Sequence, residues 1–152
     1  MADLTRLSRE ANDLGRINIQ DATKGGRAGA LAQRWIAVDE HVREELRLAR
    51  QLSPSSSRYL IGPKESYLNF LQEIIRPARD ILHDHNLKGL HDLRAAYACE
   101  RYDQITQHRA PINGGHCCLL DRSLDREARR QISLELGHER IDVVAAYIGS
   151  RA

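Results

Sequence analysis

Leu4, Leu7, Ala11 and Leu14 recur at helical spacing, with Gly15 placed to close the run, so the chain predicts a first helix over residues 3–14. At Arg16-Ile-Asn-Ile-Gln20 the period changes to two. Thr23-Lys-Gly-Gly-Arg27 reads as a turn and Arg34-Trp-Ile-Ala-Val38 as a second apolar strand, which makes a small antiparallel sheet whose hairpin loop carries Lys24. Asp39 is a good N-cap, and Val42, Leu46 and Ala49 continue a helix to about Gln51. Tyr59-Leu-Ile61 ahead of Gly62-Pro63 is short and extended. The strongest periodicity lies in residues 65–82, where Tyr67, Phe70, Leu71, Ile74, Ile75, Ala78, Ile81 and Leu82 share one face. This stripe is expected in the core, with a kink where Pro77 lacks a backbone donor. His91 to Gln104 is a further helix, residues 107–121 form a Gly/Pro-bearing loop, and Ser123–Leu136 and Ile141–Tyr147 are two closing helices split at Gly137-His138. The fold class expected is mainly α with a small antiparallel β-sheet.

Composition narrows the class. The 152 residues are 41% hydrophobic and 29% charged, the balance of a globular chain rather than a disordered or fibrous one, and no internal repeat divides it. A single domain is the simplest expectation. No apolar run approaches the roughly 20 residues of a membrane span, and the N-terminus lacks the apolar core of a secretory signal, so the expectation is a cytoplasmic protein with no membrane partner. Three cysteines, two of them adjacent at Cys117 and Cys118, do not make a disulfide framework. The 23 Lys and Arg against 21 Asp and Glu leave a net charge of +2, too mild to imply a polyanionic partner by itself. Only Lys24, Lys64 and Lys88 are lysines, so the cationic groups are mostly planar forks suited to phosphate or carboxylate. The arginine-rich stretches 43–50 and 126–130 are most simply solvated helix faces.

Position points to chemistry. In His91-Asp-Leu-Arg94 the i, i+3 spacing puts an imidazole and a guanidinium side by side on one helix face, where together they can hold an anion. Leu136-Gly-His138 sits at a helix junction, and Tyr147 follows His138 at an interval of nine residues. A phenol aimed at phosphorus among cations is a competent nucleophile. Two imidazoles, an arginine, a hairpin lysine and a tyrosine form a set able to transfer phosphoryl groups without a metal or other cofactor. His116-Cys-Cys118 with His83-Asp-His85 invites a zinc reading, but adjacent cysteines do not reproduce the Cys-x-x-Cys spacing, so no metal site is expected.

His91-Asp-Leu-Arg94, Leu136-Gly-His138 and Tyr147 together resemble the His-x-x-Arg box, the Leu-Gly-His box and the nucleophilic tyrosine of the tyrosine recombinases, the phage-type integrases. Thr23-Lys-Gly-Gly-Arg27 looks like that family's β-hairpin lysine element. Asp125-Arg-Glu-Ala-Arg129 with Ile132-Ser-Leu-Glu-Leu-Gly-His-Glu-Arg140 looks like the integrases of bacterial integrative elements, and the resemblance spans roughly residues 15–149. It implies the tyrosine recombinase catalytic fold, a double-stranded DNA partner, a homo-oligomer in a synaptic complex, and integration or excision of a mobile element. Residue by residue, it implies that Tyr147 attacks the scissile phosphate to give a 3′-phosphotyrosyl link and that Lys24 protonates the departing 5′-oxygen. Arg94 would clamp the nonbridging oxygens, and His91 and His138 would hold the phosphate or move the tyrosine's proton. Lys24, Arg27, Arg94 and Arg140 would contact DNA.

Two departures bear on activity. The family carries a further arginine well before the hairpin lysine, and the arginines nearest that place here, Arg6 and Arg9, stand 18 and 15 residues ahead of Lys24, which is short of the family's interval. The family's N-terminal DNA-clamping domain has no counterpart in these residues either, so the expectation is a partial catalytic domain, weak or inactive alone. The interval of 44 from Arg94 to His138 is long and reads as holding an inserted loop around Ala110-Pro-Ile-Asn-Gly-Gly115. A silent remnant that only binds DNA, or an unrelated helical interaction module, are the alternatives.

Overall fold

A computed structural model describes residues 3–20, 33–116, 119–138 and 140–151. The chain is mainly helical with one two-stranded antiparallel sheet, and it divides into two compact units, Met1–Asp80 and Ile81–Ala152.

In the first unit, helix α1 (Leu4–Leu14) starts where the Asp3 carboxylate accepts from the amides of Thr5 and Arg6 at 2.9 and 3.1 Å. These bonds hold the Asp3 carboxyl below the usual carboxylate range, the Arg6 amide contributing most. The helix ends at Gly15, whose φ of 64° is the left-handed geometry that a Cβ would strain. Strands β1 (Arg16–Asn18) and β2 (Trp35–Ala37) pair with Ile17 opposite Ile36, and the Arg16 guanidinium lies 4.5 Å from the Trp35 ring centre. Leu7, Ala11 and Ile17 form the core, covered by Ile19, Ile36, Val38 and by Leu46 of helix α2 (Glu40–Leu52), which is capped by Asp39. The turn expected at Thr23–Arg27, with Lys24 and Arg27, lies outside the described residues.

Residues 65–82 depart from expectation. Helix α3 (Tyr67–Phe70), a wide π-turn (Leu71–Ile75) and helix α4 (Arg76–Asp84) run on continuously, but none of their residues is buried, and Tyr67, Ile74 and Ile81 are 60, 53 and 60% exposed. The stripe is helical, as its period requires, but it is not core. Periodicity shows that a face is apolar; it does not supply an element to cover it. The irregularity expected at Pro77 takes the form of the π-turn just before it, where the Arg76 amide reaches back to the Leu71 carbonyl. That wider turn makes room for a proline ring that would otherwise press on the carbonyl four residues back. Tyr59–Ile61 is a series of bends rather than a strand, with Ile61 buried.

The second unit is built on helix α5 (Leu90–Thr106), helix α6 (Arg122–Glu135) and a closing segment that begins as a 3-10 turn (Ile141–Val144) and widens into helix α7 (Ala145–Ile148). Ala98 and Tyr102 of α5, Ala128 and Ile132 of α6, and Val144, Tyr147 and Ile148 form its core with Ala110, Leu120 and Leu136. Small residues at 98 and 128 let the long helices approach closely, and each buried branched side chain contributes about 1.5–3 kcal/mol. The loop expected at 107–121 contains a 3-10 turn (Pro111–Asn113). Arg129 corrects the expectation of a solvated 126–130 face: Arg126 and Arg130 are exposed, but Arg129 is buried beside Asp125. No helix among the described residues is long and apolar enough to cross a membrane.

Candidate functional site

Two local structures bring the predicted residues together. Helix α6 ends in a Schellman motif: the Gly137 amide donates to the Leu134 carbonyl at 2.9 Å and the His138 amide to the Ser133 carbonyl at 2.8 Å. Gly137, at φ 71°, takes the left-handed position, which turns the chain sharply and sets His138 just past the helix end. Ser133, itself buried, reinforces the turn by donating its hydroxyl to the carbonyls of His138 and Arg140, the latter at 3.0 Å. At the other end, Gly89 precedes α5 and the Asp92 carboxylate accepts from the Lys88 amide at 2.8 Å, fixing the first turn that carries His91 and, one turn on, Arg94.

The four side chains meet. His138 Nε2 is 3.2 Å from the Tyr147 hydroxyl and 3.5 Å from Arg94 Nη2. The Tyr147 ring is flanked by both imidazoles, its centre 5.4 Å from that of His91 and 5.9 Å from that of His138. Arg94 also donates to the Leu136 carbonyl, so one guanidinium ties α5 to the end of α6. An arginine can only donate, so the facing Nε2 is best served as the lone-pair nitrogen, the tautomer able to take a proton from the phenol. Tyr147 is 7% exposed, its carbonyl accepts from the Cys99 thiol at 3.5 Å, and burial pushes that thiol upward from its ordinary pKa. An open groove of 580 Å³ has Tyr147 in its wall with Ala95, Cys99, Asp103 and Ile112; His91, Arg94 and His138 do not line it.

The other predicted residues separate. Arg140 is exposed and paired with Asp142, Nε to Oδ1 at 3.1 Å. Lys24 and Arg27 lie outside the described residues, as do Cys117 and Cys118. Among the described residues, no cluster of His, Cys, Asp and Glu could hold a metal ion. Arg6 has a structural commitment in the first unit: one nitrogen donates to Glu10 at 2.8 Å and to the Asn18 carbonyl at 2.9 Å, while Arg9 is exposed.

Sequence reasoning missed the polar groups behind the site. Buried Glu135 accepts from the Tyr97 hydroxyl at 2.9 Å and from Arg101 at 3.1 Å, joining α5 to α6. Asp125 and Arg129 pair at 3.0 Å, and Tyr102 donates to Asp125 at 2.6 Å. The available signal was phase, because Asp125, Arg129, Ser133 and Glu135 fall next to Ala128, Ile132 and Leu136 on the inward face of α6. Compared with models of known protein families, with curated proteins and with solved structures, the chain finds no significant match.

Proposed function

We propose that the chain acts on double-stranded DNA as the catalytic part of a tyrosine recombinase, breaking and rejoining strands through Tyr147 during integration or excision of a mobile element in the cytoplasm. The observation that carries this reading is the approach of His138 Nε2 to the Tyr147 hydroxyl at 3.2 Å and to Arg94 at 3.5 Å, with His91 against the same phenol ring. Nucleophile, base and anion clamp, drawn from sites far apart in sequence, then stand within reach of one reacting phosphorus.

In this reading the phenol loses its proton to His138 as its oxygen attacks phosphorus, and the P–O bond to the 5′-oxygen breaks. The 3′-phosphate stays on Tyr147, and the 5′-oxygen leaves as a hydroxyl with a proton from Lys24. Attack by a 5′-hydroxyl reverses the step, so the energy of the ester bond is kept and no cofactor is consumed. Arg94 serves the transition state, in which the nonbridging oxygens carry added charge; for that it must give up the Leu136 carbonyl or use its other nitrogens. The test is a nicked suicide duplex that traps the covalent intermediate. A protein–DNA adduct mapping to Tyr147 and lost in Tyr147→Phe is expected; an adduct that persists in Tyr147→Phe, or that maps to Tyr97 or Tyr102, refutes the assignment.

A second reading, DNA binding with little turnover, draws on Arg6. Its guanidinium is occupied by Glu10 and the Asn18 carbonyl, which leaves Arg9 as the exposed arginine of α1. Retained duplex binding without any adduct would select this reading.

A further inference from the structure

The Asp125-x-x-x-Arg129 motif has no part in the chemistry above, yet it lies at the polar centre of the second unit. Both side chains are over nine-tenths buried on α6, one turn apart, with Arg129 Nε 3.0 Å from Asp125 Oδ1. Tyr102 of α5 donates to the same carboxylate at 2.6 Å, and the Arg129 guanidinium stands 5.8 Å from the Tyr102 ring centre. The remaining contacts reach the chain that follows Tyr147. Arg129 Nη1 donates to the Gly149 carbonyl at 3.0 Å; Arg151 approaches Asp125 Oδ2 at 3.4 Å and donates to the Leu120 carbonyl at 2.9 Å.

We propose that Asp125, Arg129 and Arg151 form a latch that holds the segment after Tyr147 and so positions the phenol, Arg129 being its principal positioning residue. The inference rests on the reading of Tyr147 as the nucleophile. Helix α7 is a single turn, too short to hold its own shape, so the orientation of Tyr147 depends on what fixes the chain at either side. On the C-terminal side that is the latch. A purely stabilising role fits the chemistry poorly. Two guanidinium groups share one carboxylate, and Arg129 Nη2 has no hydrogen-bond partner among the described residues. Buried ion pairs of this kind rarely improve on apolar side chains of equal volume. Apolar residues at 125 and 129 could fill the space between α5 and α6, but they could not hold the Gly149 carbonyl.

The full chain would be compared with Arg129→Gln, Arg129→Lys and Arg151→Gln by hydrogen exchange and on the nicked duplex. In both Gln variants, amides of residues 145–151 should exchange faster while those of α5 and α6 keep their protection. Adduct formation at saturating duplex should slow by about 10²-fold in Arg129→Gln, the effect of an error of about 1 Å in a near-attack geometry. Duplex affinity should stay within about twofold on the same reasoning, and Arg129→Lys should recover most of the rate. Should Arg129→Gln not fold, Arg151→Gln, whose side chain is partly exposed, decides by the same two measurements. Unchanged exchange over 145–151 in the folded Gln variants, an unchanged adduct rate, or a rate loss matched by equal loss of duplex affinity would overturn the latch. Absence of any Tyr147 adduct in the unmodified chain would instead remove the recombinase reading, and the exchange measurement would still decide whether the segment is held by Arg129.

Discussion

Gly149→Ala tests how tightly the chain is held two residues past Tyr147. Gly149 has φ 86° and ψ 160°, a region that is essentially glycine's alone, and forcing an alanine into it costs about 1–3 kcal/mol. A Cβ there would also stand 2.9 Å from the Ile112 backbone nitrogen and 3.3 Å from Pro111 Cβ. Backbone cannot swing aside as a flexible side chain can, so crowding adds a further ~1–3 kcal/mol. Gly114 is the internal control. Its φ of 82° and ψ of 14° are left-handed, but a Cβ there meets nothing within 4 Å, so Gly114→Ala bears only the backbone cost of about 1–2 kcal/mol. Thermal unfolding followed by circular dichroism, with chemical denaturation as a check, should rank Gly149→Ala below Gly114→Ala. For a unit of this size each kcal/mol moves Tm by about 4–8 °C, so the gap is readily measured. Equal Tm values for the two variants would refute the claim that Gly149 is pressed against the 111–113 turn.

Three further outcomes follow from the same geometry. Burial alone would raise the Asp125 carboxyl, but the Tyr102 hydroxyl, Arg129 and Arg151 outweigh it and hold the group below its ordinary value. Its contribution to stability is therefore present above the usual carboxylate range and lost as pH falls through the lowered folded value, and Asp125→Asn should flatten that acid limb in urea titrations; an unaltered limb contradicts it. Ile132→Ala, which opens a cavity among Ala98, Tyr102 and Val144, should cost about 2–5 kcal/mol in denaturant unfolding, and a loss under 1 kcal/mol would mean that the core is loosely packed. Arg94→Ala should slow adduct formation by about 10²–10³-fold, and a rate within threefold of the unmodified chain would remove Arg94 from the transition state.

Local signals were legible where the chain supplies both the pattern and its partner. Leu7 and Ala11 are periodic and find Ile17, and Gly15 ends the helix as its freedom at positive φ allows. Spacing alone placed His91 beside Arg94; that His138 and Tyr147 join them is what the family resemblance implied. Three things were not legible. Among the described residues no element covers the apolar stripe at 67–82, and periodicity cannot report one. The Ile141–Tyr147 run reads as a plain helix, yet its first half is 3-10, a choice between nearly equal backbone geometries set by packing against α6. The i, i+4 pair of Asp125 and Arg129 looks the same in sequence on a wet face as in a core, and only its phase relative to Ala128 and Ile132 separates the two.

In the tautomer inferred above, the Nε2 atom of His138 has a single lone pair and two donors beside it, the Arg94 guanidinium at 3.5 Å and the Tyr147 hydroxyl at 3.2 Å. It cannot serve both fully. With no anion bound, the arginine competes with the phenol for that lone pair. An anion arriving beside Arg94 draws the guanidinium to itself and leaves the imidazole to the tyrosine alone. In the recombinase reading proposed above, such a geometry would couple occupancy to reactivity with no moving domain: the proton acceptor would be most available when the group to be attacked is in place, and the phenol, with an imidazole on either hand, would stay quiet when it is not.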